Sequence, residues 1–269
     1  MSSLDRRTFL ASLAAAGAAT QLASLASPAR AEGADGATPP ATPAPLTIAM
    51  LIYPGCTALD FVAPQLTFAI LPGATVHLVW KDLAPVQCDS GYGIVPTTTL
   101  ADCPKDVDVL FVGGSARSTW PLMVDDEILG FLRDRGARAR YVTSVCTGSL
   151  LLAAAGLLQG YQATSYWAVR HLLPQLGAKV ADGRVVVDRN RITGGGVTAG
   201  VDFGLRLSEI LRGRDFAELQ QLMIEYAPEP PFAGSPDEAR PSVVETGRAM
   251  YASSVALAEQ FTAKAAARL

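Results

Sequence analysis

Tyr141–Gly156 reads YVTSVCTGSLLLAAAG. The β-rich run Tyr141–Val145 breaks at Cys146-Thr147-Gly148, and an apolar Leu/Ala-rich run with helical character continues to Gly156. A nucleophile on a sharp strand-to-helix turn is the logic of the nucleophile elbow, read here as Ser144-x-Cys146-x-Gly148 with cysteine in the serine's place. A cysteine there meets unpaired backbone N–H groups and the positive end of a helix dipole, so a thiolate is expected. The same N–H groups suit a developing negative charge on a substrate. The small Gly148 lets the helix pack close behind the turn.

Outward from the elbow, apolar runs alternate with helical patterns. Leu46–Tyr53, Val76–Trp80 and Val107–Val112 read as strands buried on both faces, with Tyr141–Val145 the fourth. Arg184–Asp188 and Arg191–Thr193 read as a hairpin turning at Arg189-Asn190, and Gly91–Pro96 as one arm of another. Helices are expected over Leu59–Leu71 (starting or kinking near Pro64), Asp125–Arg138, Tyr166–Gln175, Thr198–Arg212, Asp215–Tyr226 and Val243–Leu269. The alternation predicts an α/β fold, a flavodoxin-like three-layer sandwich with a mostly parallel sheet. Ligands in such sheets bind beyond the carboxyl ends of the strands, where Pro54–Asp60, Gly113–Ser115 and Cys146-Thr147 would meet.

The chain has 269 residues, 49% hydrophobic and 17% charged, with net charge −3. That suits one medium-sized domain and shows no basic footprint for nucleic acid. Arg6-Arg7 opens a twin-arginine pattern, a mildly apolar Ala-rich run follows, and Ala29-Arg30-Ala31 ends it as a cleavage site. Residues 1–31 therefore read as a Tat signal and the product as periplasmic or otherwise exported, with no stable membrane span after its removal; a retained N-terminal anchor is the open alternative. Removal takes away Asp5, Arg6, Arg7 and Arg30 and moves the net charge from −3 to −5. Residues 32–45 are a Gly/Ala/Thr/Pro tether, 46–228 the α/β domain, and 229–269 a Pro-rich segment with a C-terminal helix. The cysteines are Cys56, Cys88, Cys103 and Cys146, without CxxC spacing, and the two histidines are His77 and His171. Neither set suggests a metal.

The segments LDFVAPQ (Leu59–Gln65), VHLVWKDLAPV (Val76–Val86), PTTTLADCP (Pro96–Pro104), RARYVTSVCTGSLLLAAAGLLQG (Arg138–Gly160), TGGGVTAGVDF (Thr193–Phe203) and EYAPEPPF (Glu225–Phe232) resemble the ThiJ/PfpI superfamily, the class I glutamine-amidotransferase-like fold. Within it they are most similar to the isonitrile hydratase branch. The resemblance implies a flavodoxin-like sandwich, a homodimer, no cofactor and a small-molecule substrate. It assigns catalysis to Cys146, Asp60 and Thr147; Gly114, Ser115, Tyr166 and Trp167 are, on the reading of the residues themselves, expected around substrate or oxyanion. Two positions depart from the family: Tyr166 stands where relatives often carry histidine, and Gly113 where the oxyanion loop usually has proline. The expected chemistry is attack of Cys146 on an isonitrile carbon, with Asp60, its pKa raised, as acid and then base. Asp60 as a mere helix cap and Thr147 as a mere helix-start residue stay open. So do two functions: a thiol-based stress sensor in which Cys56 resolves an oxidised Cys146, and a binding domain that kept the fold and lost catalysis. Cys88 and Cys103 are a further candidate pair.

Overall fold

The computed structural model describes residues 43–269. The Tat-type signal over residues 1–31 and most of the tether lie outside the described residues.

A seven-stranded sheet forms the centre, in the order β10-β11-β7-β6-β1-β2-β5. These strands are β1 (Leu46–Leu51), β2 (Ala74–Trp80), β5 (Thr98–Thr99), β6 (Val109–Val112), β7 (Tyr141–Val145), β10 (Val185–Asp188) and β11 (Arg191–Gly194). All neighbours are parallel except the β10–β11 hairpin. This is the expected mostly parallel α/β sheet. Side chains alternate across it, as the two-residue period of a strand requires. Ile48, Met50 and Ile52 join one apolar layer; Ala49 and Leu51 join the other.

The first layer is covered by α1 (Ala58–Phe68) and α5 (Ala199–Arg212), with α6 (Arg214–Met223) beyond them. Phe61 and Phe68 of α1 meet Phe111 of β6 edge to face, each with centroids 6.0 Å apart. The second layer is covered by α3 (Asp126–Arg138), α4 (Gly148–Ala154), a 3-10 segment (Arg170–Leu176) and α7 (Pro241–Ala266). A short α2 (Thr119–Leu122) buries Trp120 there. Asp125 caps α3, accepting from the amides of Glu127 (3.0 Å) and Ile128 (3.1 Å). The expected helix at Tyr166–Gln175 is instead the later, tighter 3-10 segment. Pro174 lies inside it with no N–H to give, and Gly177 closes it in the left-handed region.

Two small ribbons complete the fold. β3 (Val86–Gln87) pairs antiparallel with β4 (Gly93–Ile94), and β8 (Gln162–Ala163) pairs parallel with β9 (Lys179–Val180). The first contains the hairpin arm expected at Gly91–Pro96.

From β1 the chain goes to β2 on one side, then crosses back to β6 on the other. The topological switch therefore lies between β1 and β6, where parallel sheets open a crevice. In register, Leu51 lies beside Val112, and Val112 beside Ser144. Two residues further on, Tyr53, Gly114 and Cys146 stand in a row at the carboxyl edge.

Candidate active site

Cys146 follows β7 directly with φ = 58°, in the left-handed region that non-glycine residues rarely occupy. Its amide donates to the carbonyls of Gly195 (2.8 Å) and Gly194 (3.2 Å); its own carbonyl accepts from the hydroxyls of Ser165 (3.1 Å) and Ser149 (3.2 Å). These bonds hold the strained residue in place. Gly148 lets α4 begin there: a Cβ would lie 2.2 Å from the Val112 carbonyl oxygen.

Asp60 is fully buried on the first turn of α1. It does not cap that helix. Its Oδ2 accepts the Gly114 amide at 2.7 Å, across the switch crevice. The start of α1 is served instead by Asp89, which accepts from the Ala58 amide (3.3 Å) and the Thr57 hydroxyl (2.7 Å). Asp60 Oδ1 has no hydrogen-bond partner, although buried groups of this kind nearly always have one. The Cys146 thiol is close enough for thiol and carboxyl to shift each other's titration.

Burial pushes the Asp60 carboxyl up to about 7, and the Asp89 charge adds to the rise; the Gly114 amide and Cys146 oppose it. Cys146 departs from the sequence expectation. Burial, then the neighbouring Asp60 charge, holds its thiol well above the ordinary cysteine range, although the backbone N–H groups of Val197 and Thr147 pull it down. Two amides and a short helix do not offset desolvation beside a carboxyl. Burial beside a carboxyl thus opposes the free thiolate that the turn alone favours.

Thr147 is buried, and its hydroxyl is engaged by protein. It accepts the Ser115 amide (2.9 Å), can donate to the Ser115 carbonyl (3.0 Å), and lies 2.8 Å from the Thr119 hydroxyl. Thr119 in turn lies 2.9 Å from the Tyr53 hydroxyl, which donates to the Gly113 carbonyl at 3.0 Å. This network fixes the loop after β6. The Gly114 amide is used by Asp60 and the Ser115 amide by Thr147, while the Ser115 hydroxyl donates to the Gly55 carbonyl (2.6 Å). The N–H groups that pull the Cys146 thiol down are those of Thr147 and Val197. Gly114 must be glycine for this arrangement, since a Cβ would fall 2.5 Å from the Thr147 amide nitrogen and 2.9 Å from Asp60 Oδ2.

Tyr166, in place of the family histidine, is half-buried, packs its ring against Gly196, and lies within electrostatic reach of Cys146. Trp167 packs beside Tyr166, ring centroids 5.7 Å apart. It stacks with Tyr166 and with Tyr251 of α7 and lines an open surface groove of about 460 Å³ with His171, Arg248 and Glu259. Cys146, Asp60 and Thr147 do not line that groove. Tyr53, Asp89, Thr119, Val197 and Tyr251 were not singled out from sequence; Val197 alone carried a signal, as the residue after Gly194-Gly195-Gly196.

Cys103 does not meet Cys88. Its thiol lies 3.7 Å from the Pro104 carbonyl, beside Arg135, whereas Cys88 lies against Cys56. Among the described residues, no cluster of His, Cys, Asp or Glu is arranged to hold a metal.

The sequence profile of the DJ-1/PfpI family matches residues 46–210, from β1 to within α5. The chain belongs to the DJ-1/PfpI family. The match spans the strand, elbow and crevice elements described above. The chain is 52% identical to the isonitrile hydratase of Pseudomonas putida over 225 residues, which is 83% of this chain and 98% of that protein. It is 30% identical to protein DJ-1alpha of Drosophila melanogaster over 51% of this chain and 64% of that one. Among solved structures, a THiJ/PfpI family protein from Pseudomonas syringae superposes with TM-score 0.81 at 47% identity, covering 87% of this chain and 97% of that one. Drosophila melanogaster DJ-1beta superposes with TM-score 0.62 at 22% identity, covering 69% and 100%, which is a likeness of fold. This DJ-1/PfpI chain thus has the flavodoxin-like architecture expected of it.

Proposed function

We infer that this chain hydrates an isonitrile to an N-substituted formamide. The relation to the Pseudomonas putida enzyme supports the reaction class. The observation that carries the chemistry is the buried Asp60 carboxyl, one oxygen tied to Gly114 and the other free, beside the Cys146 thiol.

An isonitrile, R–N≡C, has a terminal carbon that takes up both a proton and a nucleophile. With Asp60 ionised, its carboxylate accepts the thiol proton and passes it to that carbon as Cys146 sulfur bonds to the same atom. The product is a thioimidate, R–N=CH–S–Cys, with Asp60 again ionised. Asp60 then takes a proton from water, whose oxygen adds to the carbon, and passes that proton to the nitrogen. Collapse of R–NH–CH(OH)–S–Cys expels the sulfur, the hydroxyl proton returns to the pair, and R–NH–CHO leaves. One nucleophile and one acid/base cover each step. The Thr147 and Val197 amides hold negative charge on sulfur as it leaves. Thr147's hydroxyl serves as a positioning group for the loop that presents Gly114.

The test is incubation with a simple alkyl isonitrile and chromatography of the formamide. Cys146→Ala is expected to reduce turnover by roughly 10³-fold or more. Turnover within tenfold of the parent in that variant would end this reading.

We also propose a homodimer. Leu59, Val62 and Leu66 form an i, i+3, i+7 stripe on α1 and are 43%, 42% and 42% exposed, an unusual cluster of apolar surface next to Asp60. On the reading of residues 1–31 as an export signal, the reaction takes place outside the cytoplasm.

A further inference from the structure

We propose that Cys56 and Cys88 are a redox-closable pair that forms a disulfide and clamps the start of α1. Their sulfurs lie 3.6 Å apart, both unbonded. A disulfide needs about 2.05 Å, so the sulfurs must close by roughly 1.5 Å. The backbones are already registered: the Gly55 amide donates to the Gln87 carbonyl (2.7 Å) and the Asp89 amide to the Cys56 carbonyl (3.0 Å). Neither of the other cysteines competes. Cys103 is beside Arg135 and Cys146 faces Asp60.

The pair is placed for access from one side only. Cys56 is 0% exposed and Cys88 7%, but Gln87, Asp89, Ser90 and Gly91, which flank Cys88 on the β3–β4 ribbon, are all exposed. Opening of that two-residue-stranded ribbon exposes Cys88 first. The oxidant is a small disulfide. Cys88 thiolate attacks one of its sulfurs, and the other leaves as a thiol. Cys56 then attacks the Cys88 sulfur of the mixed disulfide and expels the second thiol. Two electrons and two protons pass to the oxidant, and one S–S bond is exchanged for another. Burial raises both thiols, so the exchange is slow until the ribbon opens.

The bond would bear on the catalytic helix. Asp89, adjacent to Cys88, holds Thr57 and Ala58, and Asp60 follows two residues later. Fixing Cys88 to Cys56 therefore fixes the cap of the helix that carries the catalytic carboxyl. This inference does not depend on the chemistry at Cys146.

The reduced full chain is incubated with oxidised glutathione, denatured, alkylated and mapped without reduction. The expected result is a Cys56–Cys88 cross-linked peptide, with Cys103 unlinked. Closing a loop between residues 32 apart is expected to raise Tm by about 5–10 °C. Cys103→Ser should keep that oxidant-dependent rise and Cys88→Ser should lose it. A Cys56–Cys146 link, or four alkylatable thiols after oxidation, would overturn the proposal; both are read on the unmutated chain, so misfolding of a variant does not obscure them.

Discussion

At the scale of single residues, Asp60 and Cys146 share one environment and must be treated as a pair. Burial raises both, so the pair holds two protons below about pH 7 and one above it. The folded-state pKa of Asp60 is raised, to about 7 from an ordinary 3.8. Its contribution to stability is therefore fully present below the unfolded value and is lost as pH rises towards 7. At pH 8 the buried carboxylate costs at most about 4 kcal/mol. Asp60→Asn should accordingly raise Tm at pH 8 relative to the parent and lose that advantage near pH 4. An advantage that is equal at the two pH values would contradict the titration. Thr147→Val keeps the side chain's shape but leaves the Ser115 amide without its acceptor, at an expected cost of about 1–3 kcal/mol in urea unfolding. That Asp60, Cys146 and Thr147 come together beyond the strand ends was legible in the sequence. The thiol's protonation state was not, because a strand-to-helix turn displays its dipole in the sequence but not its desolvation. The engagement of the Gly114 and Ser115 amides was hidden as well: only the fold reveals that Asp60 and Thr147 use them.

At the scale of elements, the elbow depends on how closely α4 follows β7 past β6. Gly148→Ala would put a methyl 2.2 Å from the Val112 carbonyl oxygen, so strand and helix must part. The expected loss is about 2 kcal/mol or more, read as a fall in Tm of several degrees; a Tm within about 1 °C of the parent would show that the turn relaxes freely. The strand–helix alternation was readable because the strands are continuous apolar runs buried on both faces. The elements that escaped were short and set by distant partners. β5 is two residues long and exists through its pairing with β2. The β3–β4 ribbon brings Cys88 to Cys56 across 32 residues of chain, a proximity that no local spacing encodes. Proline inside Arg170–Leu176 selected the tighter 3-10 form over the α-helix that the apolar pattern suggested.

At the scale of the whole molecule, the strand order creates the site. Because β1 has β2 on one side and β6 on the other, the loops after β1 and β6 part at the carboxyl edge, and β7 delivers Cys146 beside them. The C-terminal helix belongs to the same body: Ala258 and Ala265 enter the second apolar layer, and the Trp120 indole donates to Ser254 at 3.3 Å. Its Tyr251 reaches the ring of Tyr166, with centroids 5.4 Å apart. Val62→Glu tests the proposed dimer. It should leave the circular dichroism spectrum unchanged and convert a two-chain species to a one-chain species in sedimentation; an unchanged mass would remove α1 from the interface.

The most direct measurement is the pH dependence of kcat/KM for formamide formation from an alkyl isonitrile, in the parent and in Asp60→Asn, with the uncatalysed reaction subtracted. The single-proton pair is the reactive form. The parent should therefore rise about tenfold per pH unit up to about 7 and level off above it. Asp60→Asn should be slower by roughly 10²-fold or more and lack that limb. A parent profile flat from pH 5 to 8, or an Asp60→Asn variant that keeps both the rate and the rise, would contradict the shared role of Asp60 and Cys146.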